Sequence, residues 1–210
     1  MTATHDDRVT ASSSQRVVLR NGHVIEDPLK VVLGFVAARW RFDASGPARP
    51  ISFGEPDLKL ANRGGARISA AQIAEILERR RAIERALRAI APQASLAGAV
   101  PWLPLRQLFD AFADVRGVGF AKMTKALHPK RPALIPLLDS IVQKYLADDD
   151  LGPQARFGER AIGLVRGYKR DLDGNWAPLG AARQELAARN YQLTEVRILD
   201  LLILSVEAAA

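Results

Sequence analysis

The chain has no cysteine, which excludes disulfides, thiolate zinc sites and iron–sulfur clusters together. Its three histidines, His5, His23 and His128, lie far apart without metal-ligand spacing, so each reads as a surface or loop residue and no metal or other cofactor is expected. Long apolar runs are also missing. The longest, Ile198 to Val206, is too short to cross a bilayer and reads as a buried helix, and no membrane partner is expected. Met1 to Gln15 is polar, carries Asp6 and Asp7, and lacks the apolar core of a signal peptide. It is expected to be a disordered tail on a cytoplasmic protein. What is present is ordinary for a globular chain: 48% hydrophobic and 25% charged residues over 210 positions, enough for one domain, or two closely packed lobes, to bury a core unaided. Thirty Lys and Arg against 23 Asp and Glu leave a net charge of +7, which favours a polyanionic partner, nucleic acid before membrane. Solubility alone explains the same balance.

Strand-like residues 16–20 and 23–26 flank Asn21-Gly22, a pair suited to a type I′ hairpin turn. From Pro28 the spacing of Leu29, Val32, Leu33, Val36 and Trp40 predicts a helix, ended by a loop from Ser45 to Pro50. A helix is predicted from Ser69 to Ile90, with Ser69 and Gln72 as a capping box and one apolar stripe from Ile73 to Ile90. Its Arg79-Arg80-Arg81 run could touch phosphates, but Glu75, Glu78 and Glu84 sit at helical pairing distance from Arg79, Arg81 and Arg88, which reads as a self-neutralised solvent face. Pro104 starts a further helix with Leu105, Leu108, Phe109 and Phe112 inward. Beyond it, a helix from Phe157 is expected to stop at the turn Asp171 to Asn175, and another spans Leu179 to Arg189. Thr194 caps a last helix that runs through the core. Residues 16–210 therefore read as a single, mainly α domain with a small N-terminal β hairpin.

The segment Val115 to Lys125 places Gly117-Val118-Gly119 between two helices. Two glycines let the backbone turn tightly and bring its N–H groups to an anion, and the next helix N-terminus adds positive potential. Val118 would pin the turn to the core, with Lys122 and Lys125 just beyond, so the segment suits a phosphate clamp. An ordinary αα-hairpin fits the same residues. Further on, Pro136 and Asp139 precede the amphipathic run Ile141, Val142, Tyr145 and Leu146. Asp139 also suits a helix N-cap.

This order resembles the helix-hairpin-helix DNA glycosylase superfamily, in which a Gly-hydrophobic-Gly hairpin is followed by a Pro-containing approach and an Asp-Ser or Asp-Thr-x-Val element. Thr124 to Ser140 also looks like the Thr-Lys-x-Leu-His-x-Lys-Arg-Pro-x-Leu-Ile-Pro-x-x-Asp-Ser run of an uncharacterised bacterial branch, and Arg197 to Asp200 like its final helix. The strong likeness covers about residues 105–146, with the hairpin at 105–127 and the catalytic segment at 132–146. It implies a two-lobed helical fold with double-stranded DNA across the cleft, one base flipped into a pocket, and Asp139 in the place of the catalytic aspartate. Where bifunctional members carry a Schiff-base lysine this chain has Ala121, and the four-cysteine cluster of some members is excluded.

Chemistry agrees with the resemblance: breaking an N-glycosidic bond builds positive charge on the sugar, and a nearby carboxylate stabilises that charge or activates water. Lys130 and Arg131 occupy a Pro-bounded loop and are expected to be exposed, either near the DNA strand or simply solvated. Asn62 and Arg63 begin a Gly-rich segment that would line the base pocket or serve as a linker. Trp40, Trp102 and Trp176 read as core residues rather than stacking platforms. The leading expectation is a monomeric, monofunctional glycosylase of the bacterial nucleoid, acting in repair or against modified foreign DNA. A non-catalytic DNA-binding module and a structural helical protein are the alternatives.

Overall fold

A computed structural model describes residues 16–37 and 49–207. The N-terminal tail, Trp40 and most of the loop from Ser45 to Pro50 lie outside them. The described residues form two short strands, β1 (Val17–Val18) and β2 (Val24–Ile25), followed by ten α-helices. These are α1 (Pro28–Ala37), α2 (Glu55–Arg63), α3 (Ala70–Glu78), α4 (Arg80–Arg88), α5 (Trp102–Asp110), α6 (Phe120–Leu127), α7 (Ser140–Tyr145), α8 (Phe157–Gly174), α9 (Trp176–Ala188) and α10 (Glu195–Glu207). The chain is mainly helical with a small sheet, as the periodicities predict. Among the described residues, no helix is long and apolar enough to cross a membrane.

The strands pair antiparallel, Val17 with Ile25 and Val18 with Val24. Their turn differs from the expected type I′: only Gly22 takes a positive φ, +82°, and Asn21 does not. Leu19 N–H donates to His23 O and Gly22 N–H to Leu19 O, so the loop has three residues and its glycine absorbs the left-handed step.

The helix expected from Ser69 to Ile90 is two helices. The capping box of Ser69 and Gln72 forms at its start, but the chain breaks at Arg79, whose ψ of 3° leaves the α region. Ile76 and Ile83 are seven apart and keep helical phase across the break, so periodicity carries no mark of it. The charged face pairs within itself: Arg79 lies 3.6 Å from Glu75, as expected, while Glu84 takes Arg80, at 2.8 Å, as its partner instead of Arg81 or Arg88. Helix α2 has no counterpart in the sequence reading, because only Leu58 and Ala61 of its nine residues are buried.

Helix α8 also departs from expectation and continues through Asp171 to Gly174. The polar residues that read as a turn bind other elements instead. Tyr145 donates to Asp171 at 2.9 Å, Arg20 Nε donates to the same carboxylate at 2.8 Å, and the Asn175 amide brackets the backbone of Val18. This network fastens the hairpin to α8. At Gly158 α8 comes so close to α5 that a Cβ would lie 2.9 Å from Arg106 O. Thr194 caps α10 through Arg197 N–H at 3.1 Å, and every residue from Val196 to Ile203 is buried. The last helix is thus the axis of the core, with the segment ahead of α7 laid beside it.

Candidate functional site

The Gly-Val-Gly turn joins two helices as expected, but the first of them begins at Trp102 instead of Pro104 and ends at Asp110. Val118 is buried, while Gly117 and Gly119 are exposed. Gly117 adopts φ +74°, which an L side chain would strain, and Gly119 is the extended N-cap of α6. Gln72, at the start of α3, braces the turn: it donates to Arg116 O at 3.0 Å and accepts from Lys122 Nζ at 2.8 Å. Lys122 is therefore half-buried and oriented at the hairpin. Lys125, one turn further along α6, lies against the loop after α2, 3.8 Å from where a Gly65 Cβ would be.

The approach to Asp139 is extended backbone between α6 and α10, and three buried side chains hold it. His128 Nδ1 is 2.6 Å from Ile135 O, so this nitrogen carries the hydrogen and donates it. Asp200 Oδ2 accepts from Leu137 N–H at 3.3 Å. Thr124 Oγ1 accepts from Leu138 N–H at 3.1 Å while donating to Phe120 O in its own helix. Asp139 then caps α7, its Oδ1 accepting from Ile141 and Val142 N–H, both at 3.0 Å. Each clamp satisfies a backbone group that an extended buried segment would otherwise leave unpaired. Together they fix where the Asp139 carboxylate sits.

Asp139 lines a small cleft with Gly64, Lys125, Arg197 and Asp200, and the cleft, about 20 Å³, has room for a single water. Asp200 is 3% exposed. Burial pushes its carboxyl up to about 7, a rise that outweighs the opposing pull of Arg197 on the same helix and of His128.

Several expected site residues lie elsewhere. Lys130 and Arg131, read as an exposed pair, are 5% and 0% exposed. Lys130 Nζ pairs with Asp57 at 2.6 Å and donates to Arg49 O. Arg131 donates to Leu87 O and Ile90 O at the end of α4, and to Pro50 O and Lys130 O. Free carbonyls at a helix C-terminus attract a cation, so the pair braces α4 and the segment before α2 instead of facing solvent. His128, read as a surface residue, is buried in the clamp, and Trp176, read as core, is exposed. Asn62 uses its amide on Ile68, donating to the carbonyl and accepting from the N–H, and Arg63 is exposed. Their segment reaches the cleft through Gly64. Arg197 and Asp200 entered the sequence reading only as part of a resembling helix. Their signal was two opposite charges, three apart, at the ends of the apolar Ile198-Leu199.

A larger cavity of about 520 Å³ lies between α5 and α8, lined by Trp102, Arg106 and Arg166 among others, and none of the expected site residues reaches it. Its charges largely pair with each other, Arg106 with Glu159 at 3.6 Å and Arg170 with Asp149. Among the described residues, no cluster of His, Asp and Glu is arranged to hold a metal.

Residues 37–205 match the model of a family of unknown function, DUF6308, and the chain belongs to that family. No curated protein and no solved structure matches it.

Proposed function

We propose that this member of a family without an assigned activity hydrolyses the N-glycosidic bond of a damaged or modified base in DNA, on a two-lobed fold of the helix-hairpin-helix glycosylase kind. One observation carries the reading: α6, the helix that leaves the Gly-Val-Gly turn, brings Lys125 into the wall of the cleft that Asp139 lines. A single rigid element then links a phosphate held at the hairpin to a sugar held at the carboxylate, which is the geometry that positioning a flipped nucleotide requires. In the proposed step, water bonds to the sugar's anomeric carbon as the C–N bond breaks. The electron pair leaves with the base, which is protonated from solvent, and the water's proton passes to Asp139. Duplexes bearing different lesions or modified bases, incubated with the protein and then treated with hot alkali, test it. Cleavage at one modified position supports the reading, and an intact panel removes it.

The alternative is a non-catalytic DNA-binding module, favoured by the use of Asp139 Oδ1 as a helix cap. Both readings share one expectation. Duplex affinity falls steeply with salt, with a log–log slope of about −0.9 per neutralised phosphate and on the order of a few contacts. Lys122→Glu with Lys125→Glu weakens binding to all sequences alike and flattens that slope. Salt-independent binding would exclude both.

Catalysis would be monofunctional. Ala121 has no amine, and Lys122, about 100° further round the helix, is already hydrogen-bonded to Gln72 at 2.8 Å. The product is an intact abasic strand, and borohydride traps no covalent complex. A trapped species that vanishes in Lys122→Ala would assign the nucleophile to that lysine and end the monofunctional reading.

A further inference from the structure

We infer that Asp139 and Asp200 form a two-carboxyl site for one ordered water, in which Asp200 orients the molecule that Asp139 activates. The activation half rests on the glycosylase reading, and the water site stands without it. The two side chains come from elements 61 positions apart in sequence, yet both line a cleft with room for one water.

Asp200 has a free valence to offer. Its Oδ2 accepts from Leu137 N–H, and Arg197 Nη1 lies 3.9 Å from that same oxygen. Its Oδ1 is buried without a hydrogen-bond partner among the described residues. Tyr168 lies against the carboxyl but donates its one hydroxyl proton to Val196 O. A buried carboxylate oxygen in this position is costly unless something bonds to it. A water in the adjoining cleft, donating one hydrogen to Asp200 Oδ1 and the other to Asp139, meets that need and turns its lone pairs away from both carboxylates.

Asp200 acts here as a positioning residue, and its charge state governs the water. Facing it are Arg197 on its own helix, Tyr168 from α8, His128 from the turn after α6, Lys125 from α6 and Asp139 ahead of α7. Burial against these groups lifts its titration to about 7, so the arrangement needs the ionised form and is favoured above that pH. Asp200→Asn tests the polarity. The amide keeps Leu137 N–H satisfied only by giving its oxygen to that bond, which turns its NH₂ toward the cleft, a donor where an acceptor is required.

The decisive measurement is a crystal structure of the full chain above pH 8, with the same crystals of Asp200→Asn. The expected result is one water within hydrogen-bond distance of Asp139 and Asp200 in the wild type and its loss or displacement in the variant. An empty cleft, or a water bound to neither carboxylate, overturns the proposal. On any duplex that the wild type excises, the single-turnover rate rises through pH 7, and Asp200→Asn lowers it at least roughly tenfold, erases the inflection and leaves KM unchanged. Wild-type excision with an unaltered pH profile in Asp200→Asn sinks the role of Asp200 and leaves the glycosylase reading standing. A bridging water in a protein that excises nothing keeps the site and removes the glycosylase reading. Should Asp200→Asn fail to fold, the wild-type crystal still decides.

Discussion

Asp139→Asn is expected to fold and bind duplex DNA at least as well as the parent, while single-turnover excision falls by roughly 100-fold or more. The geometry makes this substitution sharper than a truncation. Asp139 caps α7 through Oδ1, and asparagine caps a helix about as well as aspartate, so its carbonyl oxygen can keep the bonds from Ile141 and Val142 N–H. What Asn removes is the negative charge and the basicity. Asp139→Ala removes the cap as well and costs about 1 kcal/mol of stability. A purely structural Asp139 therefore gives full turnover in Asp139→Asn and a lowered melting temperature in Asp139→Ala. A catalytic one gives a near-native melting temperature with lost turnover in Asp139→Asn. Melting and single-turnover rate, measured on both variants, separate the two.

Arg131→Met is expected to lower stability by about 3–5 kcal/mol, since four carbonyl oxygens lose the guanidinium as a donor, Leu87 O keeping a second one in Ile90 N–H. Two of these, Leu87 O and Ile90 O, end α4, and Pro50 O belongs to the segment before α2, so one side chain fastens three parts of the chain. For a chain of this size the midpoint of thermal unfolding should fall by about 10 °C. Its DNA-binding salt slope, measured at a temperature where the variant is folded, should match the parent's, because a fully buried guanidinium contacts no phosphate. A stable variant with a shallower slope would return Arg131 to the DNA surface.

The pH dependence of stability follows from Asp200. Its carboxyl titrates near 7 in the fold against about 3.9 in an unfolded chain. The folded state thus favours the protonated form. The stabilisation is complete below about pH 4 and is lost as pH rises to 7. Melting curves of the parent should fall relative to Asp200→Asn across that interval and run parallel above it.

Local order along the chain determined most of the helices and the hairpin. Gly117 and Gly119 around an apolar Val118 can form a tight turn whatever surrounds it, and Ser69 with Gln72 forms its capping box from residues three apart. Asp139 before Ser140-Ile141-Val142 was readable as a cap for the same reason. These are interactions within one turn, where sequence spacing is spatial spacing. What only the tertiary structure decided is which charges are buried and what they hold. Lys130-Arg131 looks like any basic loop until Asp57 and the carbonyls at the end of α4, more than forty residues earlier, close around it. Asp200 becomes a cleft carboxyl only because α10 runs beside the Leu137 backbone, 63 positions away. A charge's surroundings depend on packing between distant elements, and a one-dimensional pattern records the charge without recording the contact.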